Sequence, residues 1–359
     1  MTNTNQPHLV FITAFTAGDE GAIHAYHLDV ETGQLQLLNK MMNTENPFFI
    51  ALSPNRNYLY GIHEPNLFGI GDNGQVSAYK IESPTGRLTL LNRQPTRGSS
   101  ACYVVVDASG RSLLAANYQN GTVISYPVRS DGSIGEAVSF IEHEGMSINP
   151  DRQEGPHAHC FVISPNNQYA YSADLGIDKI VNYRLDVATA TLSPNAQPFA
   201  RTYPGAGPRH FTFHPQQPFA YAINELGNSV TMFDYDPETG TLLEQQTIST
   251  IPDDFEGVTH CADLKITPDG RFLYGTNRGH DSLAAYVINE QGRLSLIDIV
   301  PSGAAQPQNL AITPDGALLL CANMSGNTVT VFRIHAQTGQ LSDTGESITI
   351  PMPSCIMIC

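Results

Sequence analysis

Short apolar runs alternate with polar turns along the whole chain, too quickly for helices. One kind of run ends in an aromatic and recurs seven times: AIHAY at Tyr26, QVSAY at Tyr79, TVISY at Tyr126, KIVNY at Tyr183, SVTMF at Phe233, SLAAY at Tyr286 and TVTVF at Phe332. The spacings between them are 53, 47, 57, 50, 53 and 46 residues. A turn-and-restart signal follows each run, as in TGQL, TGRL, DGSI and TGTL. Before most of them a proline-led turn feeds another apolar run, as in SPNRNYLYGI and HPQQPFAYAI; a third copy, DASGRSLLAA, has alanine in place of the proline. Each unit therefore holds four short strands separated by Gly, Pro, Asn and Asp turns. In the unit that starts at Gly207 they read HFTFH, FAYAIN, SVTMFDY and LLEQQTI, here called strands A to D.

Four antiparallel strands repeated about every fifty residues predict propeller blades, because one blade cannot bury its own faces and must pack on the next. Seven aromatic-ended strands predict an all-β, seven-bladed β-propeller, with residues 1–359 forming one domain without a linker. The N-terminal run LVFITAF has no A strand before it, and IPMPSCIMIC at the C-terminus is an unaccompanied A strand. The last strand is thus expected to complete the first blade, residues 354–358 pairing with residues 10–14 and covering an open sheet edge.

Composition narrows the function. Lys plus Arg number 18 against 34 Asp plus Glu, a net charge of −16. That balance argues against nucleic acid and against an anionic membrane surface. A small anionic ligand stays open, since a few clustered arginines reverse the field locally. No apolar run approaches a membrane span, and the start MTNTNQPHLVFITAF lacks the features of a signal peptide. Six cysteines, none in a C-x-x-C pair and most inside apolar runs, read as buried thiols of a cytoplasmic protein. Oligomeric state is not legible beyond monomer or weak dimer.

Aligning the units on the turn prolines Pro54, Pro165, Pro215, Pro268 and Pro314 exposes a second pattern. In a blade, strand A lines the channel and strand B runs back beside it. The start of A and the end of B therefore share one mouth. Six residues before the proline stand Phe48, His159, Arg209, Ala262 and Gln308; eight before it stand Asn46, His157, Gly207, His260 and Gln306. Ten after it stand Glu64, Leu175, Glu225, Arg278 and Met324. His159, Arg209, Glu225 and Arg278, from three consecutive blades, are thus expected to converge as the catalytic set. His157, His210, Asn277, His260, Gln308 and Glu64 are the expected substrate-binding residues around them. The pair His157 and His159 also has the alternation of metal ligands on a strand. Two arginines beside them would repel a cation, so no metal is expected. G-x-G-x-x-G, P-loop, H-E-x-x-H and G-x-S-x-G motifs are absent, as is any tryptophan.

The stretches GAGPRHFTFHP and FAYAINELGNSV, with GPHAHCFVISP and LYGTNRGHDSLAAY, resemble those of the lactonase-type seven-bladed propellers, and the similarity runs in order along essentially the whole chain. That family includes propeller 6-phosphogluconolactonases and carboxy-cis,cis-muconate lactonising enzymes. Its histidine at the start of an A strand matches His159, its G-P-R-H arginine Arg209, its N-E-L glutamate Glu225, and the arginine after the next B strand Arg278. Phosphogluconolactonase members carry an arginine where this chain has Gln308. The resemblance implies a metal-independent lactonase, without organic cofactor, acting on a small sugar lactone such as 6-phosphogluconolactone. His159 and Glu225 would carry protons, and Arg209 and Arg278 would hold the substrate anion and the oxyanion. A cycloisomerase of the muconate type and a non-catalytic propeller that binds a sugar acid are the alternatives.

Overall fold

A computed structural model describes residues 8–64 and 74–359; the opening MTNTNQP, part of the start read above as lacking a leader, lies outside the described residues. These residues form seven four-stranded antiparallel sheets, with helix confined among them to two three-residue turns, Gly18–Glu20 and Leu175–Ile177. No helix is long and apolar enough to cross a membrane. Blade 1 joins Pro353–Ile358 to His8–Ala14, Ala22–Leu28 and Leu35–Met42. Its closing register runs Val10 to Ile358, Phe11 to Met357 and Ile12 to Ile356. Blades 2 to 7 follow in chain order, their inner strands being Pro47–Leu52, Ala101–Val106, Ala158–Ile163, Pro208–Phe213, His260–Ile266 and Pro307–Ile312. The four strands read from the Gly207 unit fall on Pro208–Phe213, Phe219–Asn224, Ser229–Asp236 and Thr241–Ser249.

Burial falls outward. The second strand of a blade, such as Ser112–Asn117, is wholly buried and the inner strand, such as Ala158–Ile163, mostly so, whereas an outer strand such as Leu35–Met42 alternates exposed and half-buried positions. Apolar clusters fill the contact between every pair of neighbouring blades, including the contact of blade 7 with blade 1. The core is therefore a ring of seven interfaces rather than one centre.

The turn-and-restart glycines owe their recurrence to these interfaces. Tyr60 donates to Gly132 O, Tyr171 to Gly240 O, Tyr221 to Gly292 O and Tyr274 to Gly339 O, at 3.0, 2.9, 2.7 and 2.8 Å. In each case a strand B tyrosine reaches the turn of the next blade. The bond satisfies a buried hydroxyl and sets the spacing of the blades. Gly240 has φ +69, and a Cβ there would run into the Tyr169 ring. Gly240→Ala is accordingly expected to lose about 2–4 kcal/mol, from left-handed strain plus overpacking. A thermal melt should show the transition several degrees lower; an unchanged melt would mean that the turn shifts freely.

Candidate active site

Each inner strand carries the same irregularity near its start. Strand pairing passes from Ala158–Asp174 to Cys160–Ala173, from Pro208–Asn224 to His210–Ile223, and from Pro307–Asn323 to Asn309–Ala322. One residue is left over each time: His159, Arg209 and Gln308. In blade 3 the extra residue is Cys102. A β-bulge re-aims the side chain of its extra residue. Here it turns the position six before the turn proline out of the ladder and toward the mouth.

The result is a cavity of about 310 Å³ at that mouth. His159, Arg209, Gln308, Glu225, Arg278 and Glu64 line it, together with Phe15, Phe48, Cys102, Tyr118, Arg152 and Met324. The other anticipated residues sit behind this wall. His157 stacks on Tyr118 with ring centroids 4.6 Å apart, bonds Tyr118 O at 3.0 Å and meets Glu154 at 3.2 Å. Asn277 is fully buried and donates to Thr250 O and Ser282 Oγ. His260 offers its carbonyl to Arg278 Nε at 3.4 Å. His210 lies deeper in the channel beneath Arg209. Since Arg209 Nη1 can only donate, His210 Nε2 accepts at 3.1 Å and the proton sits on Nδ1, which donates to Asp263 at 2.7 Å. Asp263 also accepts from Lys265, Asn309 and the Leu310 N–H, so the support of Arg209 is itself fixed.

Glu225 is the hub. Its Oε1 accepts from Arg152 Nη2 at 2.7 Å, and Arg278 Nη2 lies 2.8 Å from its Oε2. Arg209 Nε stands 2.9 Å from the same Oε2, a charge contact whose N–H is not aimed along the line. Burial alone would raise the Glu225 carboxyl; Arg278, Arg209 and Arg152 outweigh it and hold the group far below the ordinary carboxylate range. Burial, helped by Arg278, pulls Arg209 down to about 10, which leaves it charged at neutral pH. Burial and then Arg209 keep His159 well below 6.5, so its imidazole is neutral at working pH. The same causes bring His210 down to about 4. Burial pushes the Cys102 thiol upward, which leaves it no thiolate for nucleophilic attack.

Two groups of lining residues escaped the register argument. Ser100, Cys102 and Tyr118 occupy the same three registers in blade 3, counted from Ala108, and extending the alignment to the unit without proline would have found them. Arg152 belongs to the long connection between strands Ser139–Glu142 and Ala158–Ile163, which has no repeat partner. Among the described residues, no cluster of three or more His, Cys, Asp or Glu side chains is arranged to hold a metal ion.

The fold is a closed ring of seven blades whose mouth holds a cavity with one carboxylate clamped by three guanidinium groups beside a neutral imidazole. The chain belongs to the family described as Lactonase, 7-bladed beta-propeller, whose sequence model matches residues 9–358. It is 35% identical over 350 residues to a Bacillus subtilis strain 168 protein named 6-phosphogluconolactonase, covering 97% of both chains. A Formosa agariphila protein of the same name is 32% identical, over 95% of this chain and 96% of its own. Among solved structures, the periplasmic gluconolactonase of Pseudomonas aeruginosa superposes with a TM-score of 0.92 at 30% identity, covering 98% of this chain and 99% of that one.

Proposed function

We propose that this protein hydrolyses a small sugar lactone in the propeller mouth, 6-phosphogluconolactone or a related aldonolactone. The observation that carries the reading is a neutral imidazole, His159, lining a cavity of about 310 Å³ together with a clamped carboxylate, in a chain that matches the lactonase family over residues 9–358. The carboxylate of Glu225 is too strongly held to take a proton at neutral pH, so the base is His159. It removes a proton from the attacking water as the water adds to the lactone carbonyl. It then returns that proton to the ring oxygen as the carbon–oxygen bond breaks, giving the open acid. Glu225, ionised throughout, stabilises the transient imidazolium. Arg209 engages Nη1 with Ala262 O and His210, and its Nε with Glu225, while its Nη2 has no partner among the described residues. That nitrogen polarises the carbonyl and meets the developing oxyanion. No step calls for a metal or an organic cofactor. The unpaired cysteines fit a cytoplasmic setting.

The pH profile tests the assignment. The base must be unprotonated, and its pKa is lowered, so activity persists as pH falls through 6.5 and is lost only below it. An unshifted imidazole would be about 90% protonated at pH 5.5, with roughly a tenfold loss in kcat/KM. The expected loss between pH 7.5 and 5.5, after subtraction of spontaneous hydrolysis, is less than twofold. His159→Asn is expected to lower kcat by on the order of 10². A variant with near wild-type kcat would remove His159 from the chemistry.

A further inference from the structure

Three arginines surround the cavity, and they are not equivalent. Arg209 is almost fully buried and is held from below by His210 and Ala262 O. Arg278 engages all three of its nitrogens: Nε with His260 O, Nη1 with Gln308, and Nη2 with Cys261 O and Glu225. Arg152 differs. Both of its protein contacts, with Glu225 and the Tyr118 hydroxyl, use Nη2. Its Nη1 and Nε have no partner among the described residues, and its side chain is 34% exposed against 2% and 21% for Arg209 and Arg278. A guanidinium nitrogen with free N–H groups is a charge-assisted donor to a tetrahedral oxyanion.

The backbone beneath Arg152 is fixed in advance. Its neighbour Gln153 is fully buried and donates to Leu175 O at 2.9 Å and to Asp178 at 2.8 Å. Asp178 also accepts from Ser147 of the same connection and from the Gly205 and Gly207 amides that lead into Arg209. One carboxylate therefore ties the loop that carries Arg152 to the loop that leads into Arg209. The cavity holds three guanidinium groups against two carboxylates, Glu225 and Glu64, in a chain whose net charge is −16. The local field favours an anion despite the acidic whole.

We infer that Arg152 is the specificity-determining residue of this site, holding the phosphate of a phosphorylated sugar lactone through Nη1 while Nη2 keeps its bond to Glu225. The inference rests on the lactonase reading and refines it. It accounts for phosphate recognition in a chain that has glutamine at position 308, where Gln308 is taken up as an acceptor for Arg278.

The test compares 6-phosphogluconolactone with unphosphorylated gluconolactone in the full-length protein, its Arg152→Met variant and its Arg152→Lys variant. Calorimetric binding of 6-phosphogluconate and gluconate is measured in parallel. For Arg152→Met, the kcat/KM ratio of phosphorylated to neutral lactone is expected to fall roughly 10- to 100-fold, mostly through KM, with partial recovery in Arg152→Lys. Affinity for 6-phosphogluconate should fall by a similar factor and affinity for gluconate by much less. Equal losses on both lactones would reduce Arg152 to a support for Glu225 and overturn the inference. So would a wild-type protein that hydrolyses both lactones without preferring phosphate. A wild type that hydrolyses neither lactone yet binds 6-phosphogluconate through Arg152 would sink the lactonase reading and support the anion site.

Discussion

Glu225→Gln is expected to lower kcat on 6-phosphogluconolactone by on the order of 10³ while leaving a folded propeller. The substitution keeps the shape of the side chain and removes the single negative charge shared by Arg152, Arg209 and Arg278. Three consequences add. An imidazolium on His159 would lose the counter-charge of Glu225, which would raise the barrier to the proposed proton transfer. The guanidinium groups repel one another without a common partner, so the cavity-facing nitrogen of Arg209 leaves its position. Breaking a buried ion cluster by removing one partner also costs about 3–5 kcal/mol of stability. The last loss is spread over a ring of seven interfaces, so circular dichroism should show a native sheet signal with a lower melting temperature. Glu225→Asp retains the charge one methylene short and should fall between the two. A folded Glu225→Gln protein with near wild-type kcat would show that the clamped carboxylate is architecture only.

Deleting the strand Pro353–Ile358 is expected to abolish recovery of folded protein. That strand supplies the inner edge of blade 1 and pairs with His8–Ala14. It also buries Cys355 and Ile356, the latter in the cluster between blades 7 and 1. The Ile356 amide donates to Asn309 across the blade boundary, and Ser354 Oγ donates to Phe48 O of blade 2. Without the strand, the inner edge of His8–Ala14 is left as an unpaired template for aggregation. Burial of one such isoleucine is worth about 1.5–3 kcal/mol, and the ladder and two blade contacts go with it. Ile356→Asp keeps the chain length and tests the apolar contact alone; it should lower the melting temperature without preventing closure. Soluble truncated protein with an unchanged melting temperature would mean that six blades and an open seventh suffice.

Much of this architecture was readable from local pattern, because a blade is built by local rules. Period-two alternation sets each strand, and the Gly, Pro, Asn and Asp turns set its ends. A repeat of about fifty residues means that the same register recurs, which is why alignment on the turn prolines brought His159, Arg209, Glu225 and Arg278 to one mouth. Where the repeat is imperfect, the register carries no such marker. Blade 3 lacks the proline that would mark the registers of Cys102 and Tyr118. Asn277 shows the opposite failure of pattern, since its neighbour Arg278 faces the cavity while its own side chain bonds inward to Thr250 and Ser282.

By itself the sequence determined the number of blades, their order, the closing strand and the mouth at which the charged residues gather. These follow from short-range chemistry summed over seven similar units. Tertiary structure decided what those residues are to one another. The bulges that turn His159, Arg209 and Gln308 toward the cavity depend on how two strands pair. The ionisation of Glu225 and the neutrality of His159 depend on which charges surround them after burial. Arg152 reaches Glu225 across 73 residues of chain because Gln153 and Asp178 pin its loop. Electrostatic energies depend on distances and solvent access in three dimensions, and neither is a function of spacing along a chain.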